Sequence, residues 1–330
     1  MIWEIKSEHI DKIKINVGEY TSFYNENETN EEDILGLVNG YFQKRGSNKN
    51  EVTIFDVENQ EVVGAHTYQS FIINHEMIEK EHALGTSSML YKCIVRNMKE
   101  NVEVDGYLNS VNVLLEDVLG MVRKDLPLKL KPLDYKSFVK QLHFEYDMYE
   151  DYDKLITRLE QVMPILVEEL NNQTHNQTLL IYYYPESNLS PSEQLRFKKF
   201  LQNLPVTLIV LTSSERFVAT DIESMNYIKA TRQCLTSELI HDLAWQAPLD
   251  YDHQEIKQSL ERFILHYQNK FECSPVISNY KVADIILFEP IDLYVAVTYL
   301  KRTQHAFMVD LDDDKLPHAI KSYIAHTLHR

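Results

Sequence analysis

Six cations stand close together in the middle of this chain: Arg123, Lys124, Lys129, Lys131, Lys136 and Lys140. Only Asp125 and Asp134 interrupt them. Clustered Lys and Arg side chains can hold phosphate oxygens, and they do so without reading a base. The next stretch swings acidic through Glu145, Asp147, Glu150, Asp151 and Asp153. The competing account is therefore a solvated hinge whose lysines pair with those acids. Lys154, Arg158, Lys198 and Lys199 are weaker candidates for the same task.

Other chemistries leave fainter traces. A phosphate-binding loop needs Gly-x-x-x-x-Gly-Lys-Ser/Thr, so that backbone N–H groups close round the phosphates and the Lys reaches them. After an expected strand at Ile13 to Val17 the chain reads Gly18-Glu19-Tyr20-Thr21-Ser22-Phe23, with one Gly, no Lys and an acid where phosphate would lie. Asp310-Leu311-Asp312-Asp313-Asp314-Lys315 begins like a calcium loop, but Lys315 and Lys321 stand where that loop needs Gly and Glu. It reads as an acidic approach to the last helix. Glu4-Ile5-Lys6 and Glu255-Ile256-Lys257 match a nuclease fragment and read as surface charges. His318, His326 and His329 have no metal-ligand spacing, and His241-Asp242 reads as part of a capped helix. No Gly-x-Ser-x-Gly nucleophile elbow occurs.

The elements that must position these residues follow from periodicity. Thr178 to Tyr184 is an unbroken apolar and aromatic run, as expected of a strand buried on both faces. Ser190-Pro191-Ser192-Glu193 is a capping box with Pro at the first helical position. Leu195, Phe197, Phe200 and Leu201 give a helical stripe, and Val206 to Leu211 a second buried strand. A connection of that length suits a parallel crossover, so the chain is α/β. Trp3 and Ile5, then Ile13 and Ile15, alternate as two strands of a sheet edge. Val52 to Phe55 and Phe71 to Ile73 are further strands, with a helix from Ile34 to Phe42.

Helical spacing then dominates from Ser87 to Asn171. One helix carries Met89, Leu90, Cys93, Ile94 and Met98, and another runs from Leu108 to Val122. A short third contains Phe138 and Leu142, and a long fourth carries Leu155 to Leu170 with Pro164 as a kink. Beyond Cys234 the pattern predicts a helix over Glu255 to Asn269. Strands follow at Asp284 to Phe288, Leu293 to Leu300 and Phe307 to Val309, then a last helix from about Leu316.

Composition sets the limits. The 330 residues are 44% hydrophobic and 25% charged, enough for two or three domains with a sizeable core. A net charge of −17 argues against adhesion of the whole surface to nucleic acid, though not against a local basic channel. Cys93, Cys234 and Cys273 are isolated, which suits a reducing cytoplasm better than a disulfide framework. The charged N-terminus is unlike a signal peptide, and no run is long enough to span a membrane.

This order of elements resembles the spacer-acquisition ring protein of type II-A CRISPR systems, the Csn-two family, in its longer form. The likeness rests on the strand and helix of Ile13 to Phe42, the strand from Val52 and the helical insertion Ser87 to Asn171. It continues through Leu179 to Tyr182, Ser190 to Leu204, Val206 to Leu211, Glu215-Arg216-Phe217 and Tyr227-Ile228-Lys229. The resemblance implies a degenerate P-loop-kinase-like head in two parts, 1–86 and 172–234. It also implies an inserted α-helical leg domain, 87–171, and a C-terminal α+β extension, 235–330. It further implies a non-enzymatic homotetrameric ring that threads linear double-stranded DNA through a lysine-lined hole. Such a ring serves spacer capture and antiviral defence beside the CRISPR integrase and the RNA-guided nuclease. Short members hold calcium with acids near the bend after the second leg helix. Here that bend is Arg123 to Lys131, nearly without carboxylates, so no calcium ligand is assigned. The six cations are then the expected DNA contacts. The alternatives are a divergent nucleotide-binding phosphotransferase, with ATP near Gly18 and Ser22, and an acidic scaffold that binds only proteins.

Overall fold

The computed structural model describes residues 1–8, 10, 12–24, 30–43, 52–122, 126–142, 154–173, 176–229 and 232–329. The chain opens with strands β1 (Ile2–Ser7), β2 (Ile13–Asn16) and β3 (Tyr20–Tyr24), then helix α1 (Asn30–Phe42). β4 (Val52–Asp56), β5 (Glu61–Val62) and β6 (Tyr68–Ile73) complete the first part. The helices α2 (His75–His82), α3 (Met89–Glu100), α4 (Val102–Val122), α5 (Tyr135–Gln141) and α6 (Leu155–Gln173) come next. β7 (Gln177–Tyr183), α7 (Pro191–Leu201), β8 (Thr207–Thr212), β9 (Met225–Asn226), β10 (Ile228–Lys229) and β11 (Arg232–Gln233) follow. The last third holds α8 (Ser237–Gln246), α9 (His253–Tyr267), β12 (Val276–Ser278), β13 (Ile285–Ile286), α10 (Pro290–Arg302), β14 (Met308–Asp310) and α11 (His318–His329).

Two compact units result: Met1–Asn74 with Thr174–Arg330, and His75–Gln173. In the first, a parallel sheet runs in the order β6-β7-β8-β3-β9. Leu179 to Tyr182 and Leu208 to Leu211 are all essentially without solvent contact. That double-sided burial explains why neither strand alternates. Each such aliphatic side chain stabilises the fold by about 1.5–3 kcal/mol. The expected capping box is present: Glu193 accepts from the Ser190 N–H at 2.8 Å, and Ser190 Oγ accepts from the Glu193 N–H at 3.5 Å.

An antiparallel sheet, β2-β1-β4-β5, lies in the same unit, with Trp3, Ile5, Ile13, Ile15 and Ile54 in one core with α1 and the parallel strands. β1 is therefore an inner strand, not an edge. Asn16 ties β2 to the neighbouring chain. Its Nδ2 donates to the carbonyls of Met225 at 2.9 Å, Leu235 at 3.1 Å and Ile222 at 3.2 Å. Its own N–H donates to Asn226 Oδ1 at 2.7 Å.

Two further sequence expectations are overturned. The chain after Gly18 is strand β3, not the loop after a strand; its polar Thr21 and Ser22 concealed it. Leu293 to Leu300 is the middle of helix α10, not a strand. All eight residues are buried, so the helix shows neither alternation nor a 3.6-residue stripe, and its β-branched content looks strand-like. Pro290 at the first helical position was the overlooked signal.

The second unit is held by α3, α5 and α6. Tyr91, Val95 and Val139 form a small core flanked by Ile94, Met98 and Tyr135. Pro164 sits inside α6, which continues past it.

Candidate nucleic-acid interface

Helix α3 starts where Ser88 Oγ accepts from the Tyr91 N–H at 3.1 Å. The buried Glu81 carboxylate takes the Leu90 N–H at 2.9 Å. Two of the four free N–H groups of the helix start are thus satisfied. With Leu90, Tyr91 and Val95 turned inward, Lys92, Arg96 and Lys99 fall on an outward stripe at i, i+4 and i+7. Helix α5 starts at Asp134, whose Oδ1 accepts from the Ser137 N–H at 2.7 Å. Hydrogen bonding from the Ser137 side chain first, then from its N–H, lowers the Asp134 carboxyl below its ordinary value, with Lys136 and Lys131 adding to it. Lys136 and Lys140 are one turn apart on α5 and exposed.

The Tyr91 hydroxyl donates to the Lys136 carbonyl at 2.9 Å and fastens α5 to α3. The result is a cleft of about 570 Å³ with Lys92, Arg96, Lys99, Lys136 and Lys140 on its walls. Arg96 is fixed by a two-pronged contact with Glu169 of α6, one arm at 2.6 Å. That contact raises its already high pKa. Glu100 approaches the Arg96 Nε at 3.8 Å. The four lysines have no carboxylate within 4 Å among the described residues. Cations gathered in excess of the carboxylates beside them create a local positive potential that an anion relieves, even on an acidic chain.

The six expected contacts therefore divide. Lys136 and Lys140 enter this cleft. Lys129 and Lys131 are exposed on the stretch before α5 and are not among its walls. That stretch is held to α4 by Asn112, which donates to the Leu133 carbonyl at 3.1 Å and accepts its N–H at 2.8 Å. The Tyr135 hydroxyl bonds Asp105 nearby. Arg123 and Lys124 lie outside the described residues, as do the acids from Glu145 to Asp153. Lys92, Arg96 and Lys99 were missed in the sequence, although their spacing opposite an apolar face was the available signal.

The weaker candidates separate too. Arg158 Nε pairs with Glu79 at 3.0 Å. Lys198 donates to the Val218 carbonyl at 2.5 Å and lies over the Tyr20 ring, and burial lowers its pKa. It is a structural lysine. Lys154 and Lys199 are exposed.

Gly18 and Ser22, where the alternative put ATP, are both engaged in hydrogen bonds within the fold. The Gly18 N–H is taken by Thr21 Oγ1 at 2.8 Å, and Ser22 is buried with its Oγ accepting from the Ala219 N–H at 2.9 Å. The position a phosphate loop would occupy, between β3 and α1, is Asn25 to Thr29. It lies outside the described residues and contains neither Gly nor Lys. Nearby, the Tyr184 hydroxyl donates to Glu32 at 2.5 Å, and Glu186 accepts from Thr212 Oγ1 at 2.8 Å and the Ser213 N–H at 2.7 Å. Carboxylates thus occupy strand ends where a nucleotide's phosphates would need donors.

The other fragments are ordinary structure. Glu4 pairs with Lys12 at 2.7 Å, and Glu255 closes a capping box with Asp252. Asp310, Asp312 and Asp313 pair with Lys281, Lys315 and Lys321. Thr236 caps the helix that carries His241. His318 and His326 lie on α11. Among the described residues, no group of three or more His, Cys, Asp or Glu is placed to hold a metal ion. The described part of the bend, Leu126 to Lys131, offers no side-chain oxygen and does not fit a calcium site. No helix among the described residues is long and apolar enough to cross a membrane.

The fold has a solved counterpart. It is similar to that of Stu0660 of Streptococcus thermophilus. The two superpose with a TM-score of 0.60 over 99% of this chain and 100% of the other, at 14% sequence identity. At that identity the likeness to Stu0660 is one of fold. No family model matches the chain, and no curated protein does.

Proposed function

We propose that this chain is a non-catalytic protein that binds linear double-stranded DNA, assembles as a homotetrameric ring and serves CRISPR spacer acquisition beside the integrase and the RNA-guided nuclease. The carrying observation is the exposed cations of the helical unit, Lys129, Lys131, Lys136 and Lys140, none within 4 Å of a carboxylate among the described residues, on a chain of net charge −17. Selection of so acidic a surface with so local a basic region favours one anionic partner at one place. Three further features support the reading. The order of elements resembles the Csn-two family, whose head is a degenerate P-loop kinase. The position of a phosphate loop holds Asn-Glu-Asn-Glu-Thr. Helix α4 buries only Leu108 of its 21 residues and exposes Leu114, Val118, Met121 and Val122 along one side. An apolar helix side of that kind suits contact with another copy.

The test is a gel shift at low salt with linear and covalently closed circular duplexes, each with calcium and with chelator. A shift of the linear form alone is expected of a threaded ring. Equal shifts would mean an open groove, and no shift would leave a protein-binding scaffold. Lys129→Glu with Lys131→Glu should weaken linear binding about tenfold and reduce the salt slope by about 2, at about 0.9 per phosphate contact. Unchanged binding would remove both from the interface.

A further inference from the structure

The cleft between α3 and α5 has properties that a duplex-tracking surface does not need. Its volume of about 570 Å³ falls within the range of small-molecule sites, roughly 300–1,000 Å³. A duplex spreads its charge, with one phosphate per strand about every 3.4 Å along the axis. Here the positive charge is gathered round one concavity. Lys92 and Lys99 stand on one wall and Lys136 and Lys140 on the other, all exposed. Arg96 lies between them, its guanidinium set by Glu169. The floor is apolar where Tyr91 and Val95 line it. Tyr91 is itself immobilised by its bond to the Lys136 carbonyl.

We propose that this cleft is a discrete site for the clustered phosphates of a nucleotide, with the nucleoside resting on the Tyr91 and Val95 floor. Four exposed lysines without a carboxylate within 4 Å among the described residues match a group bearing several negative charges within a few ångströms. The apolar floor favours a ligand with an organic body over a bare inorganic anion. Free nucleoside polyphosphate and the phosphorylated end of a DNA strand carry the same chemistry, and the experiment separates them. The site goes beyond the DNA reading and does not depend on it. It also differs from the phosphotransferase alternative, which put ATP at Gly18 and Ser22.

Calorimetry on the full chain at low salt would titrate ATP and inorganic triphosphate. A competition assay would compare linear duplexes with 5′-phosphate and 5′-hydroxyl ends. Lys99→Glu with Lys140→Glu is the test variant, because both side chains are exposed and neither meets a carboxylate within 4 Å among the described residues; circular dichroism would check its fold. Lys129→Glu with Lys131→Glu is the control, outside the cleft. The expected result is ATP binding at least fivefold tighter than triphosphate, weakened at least tenfold in the test variant and unchanged in the control. A preference for phosphorylated ends that vanishes in the test variant would support the site and make the DNA terminus its source. Binding of neither ATP nor phosphorylated ends, or binding that the test variant leaves intact, would overturn the proposal. A protein that shifts duplex DNA but fails both probes loses only the cleft site. One that binds ATP in the cleft and shifts no DNA loses only the DNA reading.

Discussion

Acidification should loosen the first compact unit through one histidine. His305 follows α10, and its side chain has no solvent contact. Its Nε2 meets the Tyr227 hydroxyl at 2.9 Å and its Nδ1 the Thr303 hydroxyl at 2.6 Å. The Phe271 ring lies 5.4 Å away. Burial pushes its pKa down to about 4, aided by Lys229 and opposed by Glu272, which lies 3.3 Å from Nε2. In the unfolded chain the value returns to about 6.5. Above that pH the imidazole is neutral in both states. Between about 6.5 and 4 the unfolded chain binds a proton that the folded one refuses, so stability falls as pH falls. The slope is about 1.4 kcal/mol per pH unit, giving a loss of about 2 kcal/mol by pH 5 and about 3 by pH 4, levelling off below that. Against a total of roughly 5–15 kcal/mol, that is a large share. Urea unfolding at pH 7, 6 and 5 would measure it for the native chain and for His305→Gln, which keeps polar atoms near Tyr227 and Thr303 without titrating. The native chain should lose about 2 kcal/mol more than the variant between pH 7 and pH 5. Parallel profiles would refute the reasoning, since the carboxylates common to both cancel in the difference.

Three other outcomes are expected. Ser190→Ala removes the cap of α7 and should lower unfolding stability by about 1 kcal/mol in urea melts, with little change in the fold. Asn226→Ala strips the Asn16 N–H of its acceptor and the Asn16 carbonyl of its donor, both buried. It should cost about 2–4 kcal/mol by the same assay, and a loss below 1 kcal/mol would mean the pair is not needed. Val118→Lys with Met121→Lys should leave circular dichroism unchanged, because both side chains are exposed in one copy. If α4 joins copies, light scattering should then show a smaller mass; an unchanged mass would place the contact elsewhere.

The strand–helix–strand unit of β7, α7 and β8 is written in the sequence because its signals are local. A capping box satisfies N–H groups three residues away, Pro191 fixes its own φ, and two unbroken apolar runs report burial on both faces. The helices from α3 to α6 are visible for the same reason, each showing an apolar stripe against one wet face. That signal disappears where tertiary burial surrounds an element. α10 is enclosed on every side and so reads as a strand, while β3 takes polar Thr21 and Ser22 into a buried sheet and so reads as a loop. The basic region divides along the same line. Lys129, Lys131, Lys136 and Lys140 are neighbours in sequence and stand out at once. Their separation into two groups is a tertiary result, as is the meeting of Lys136 and Lys140 with Lys92, Arg96 and Lys99. It depends on the Tyr91 hydroxyl reaching a carbonyl 45 residues away and on Glu169 fixing Arg96 across 73. Sequence sets what each turn or strand requires of its immediate surroundings; which distant surface supplies it is decided only when the cores close and bring unlinked side chains within hydrogen-bonding reach.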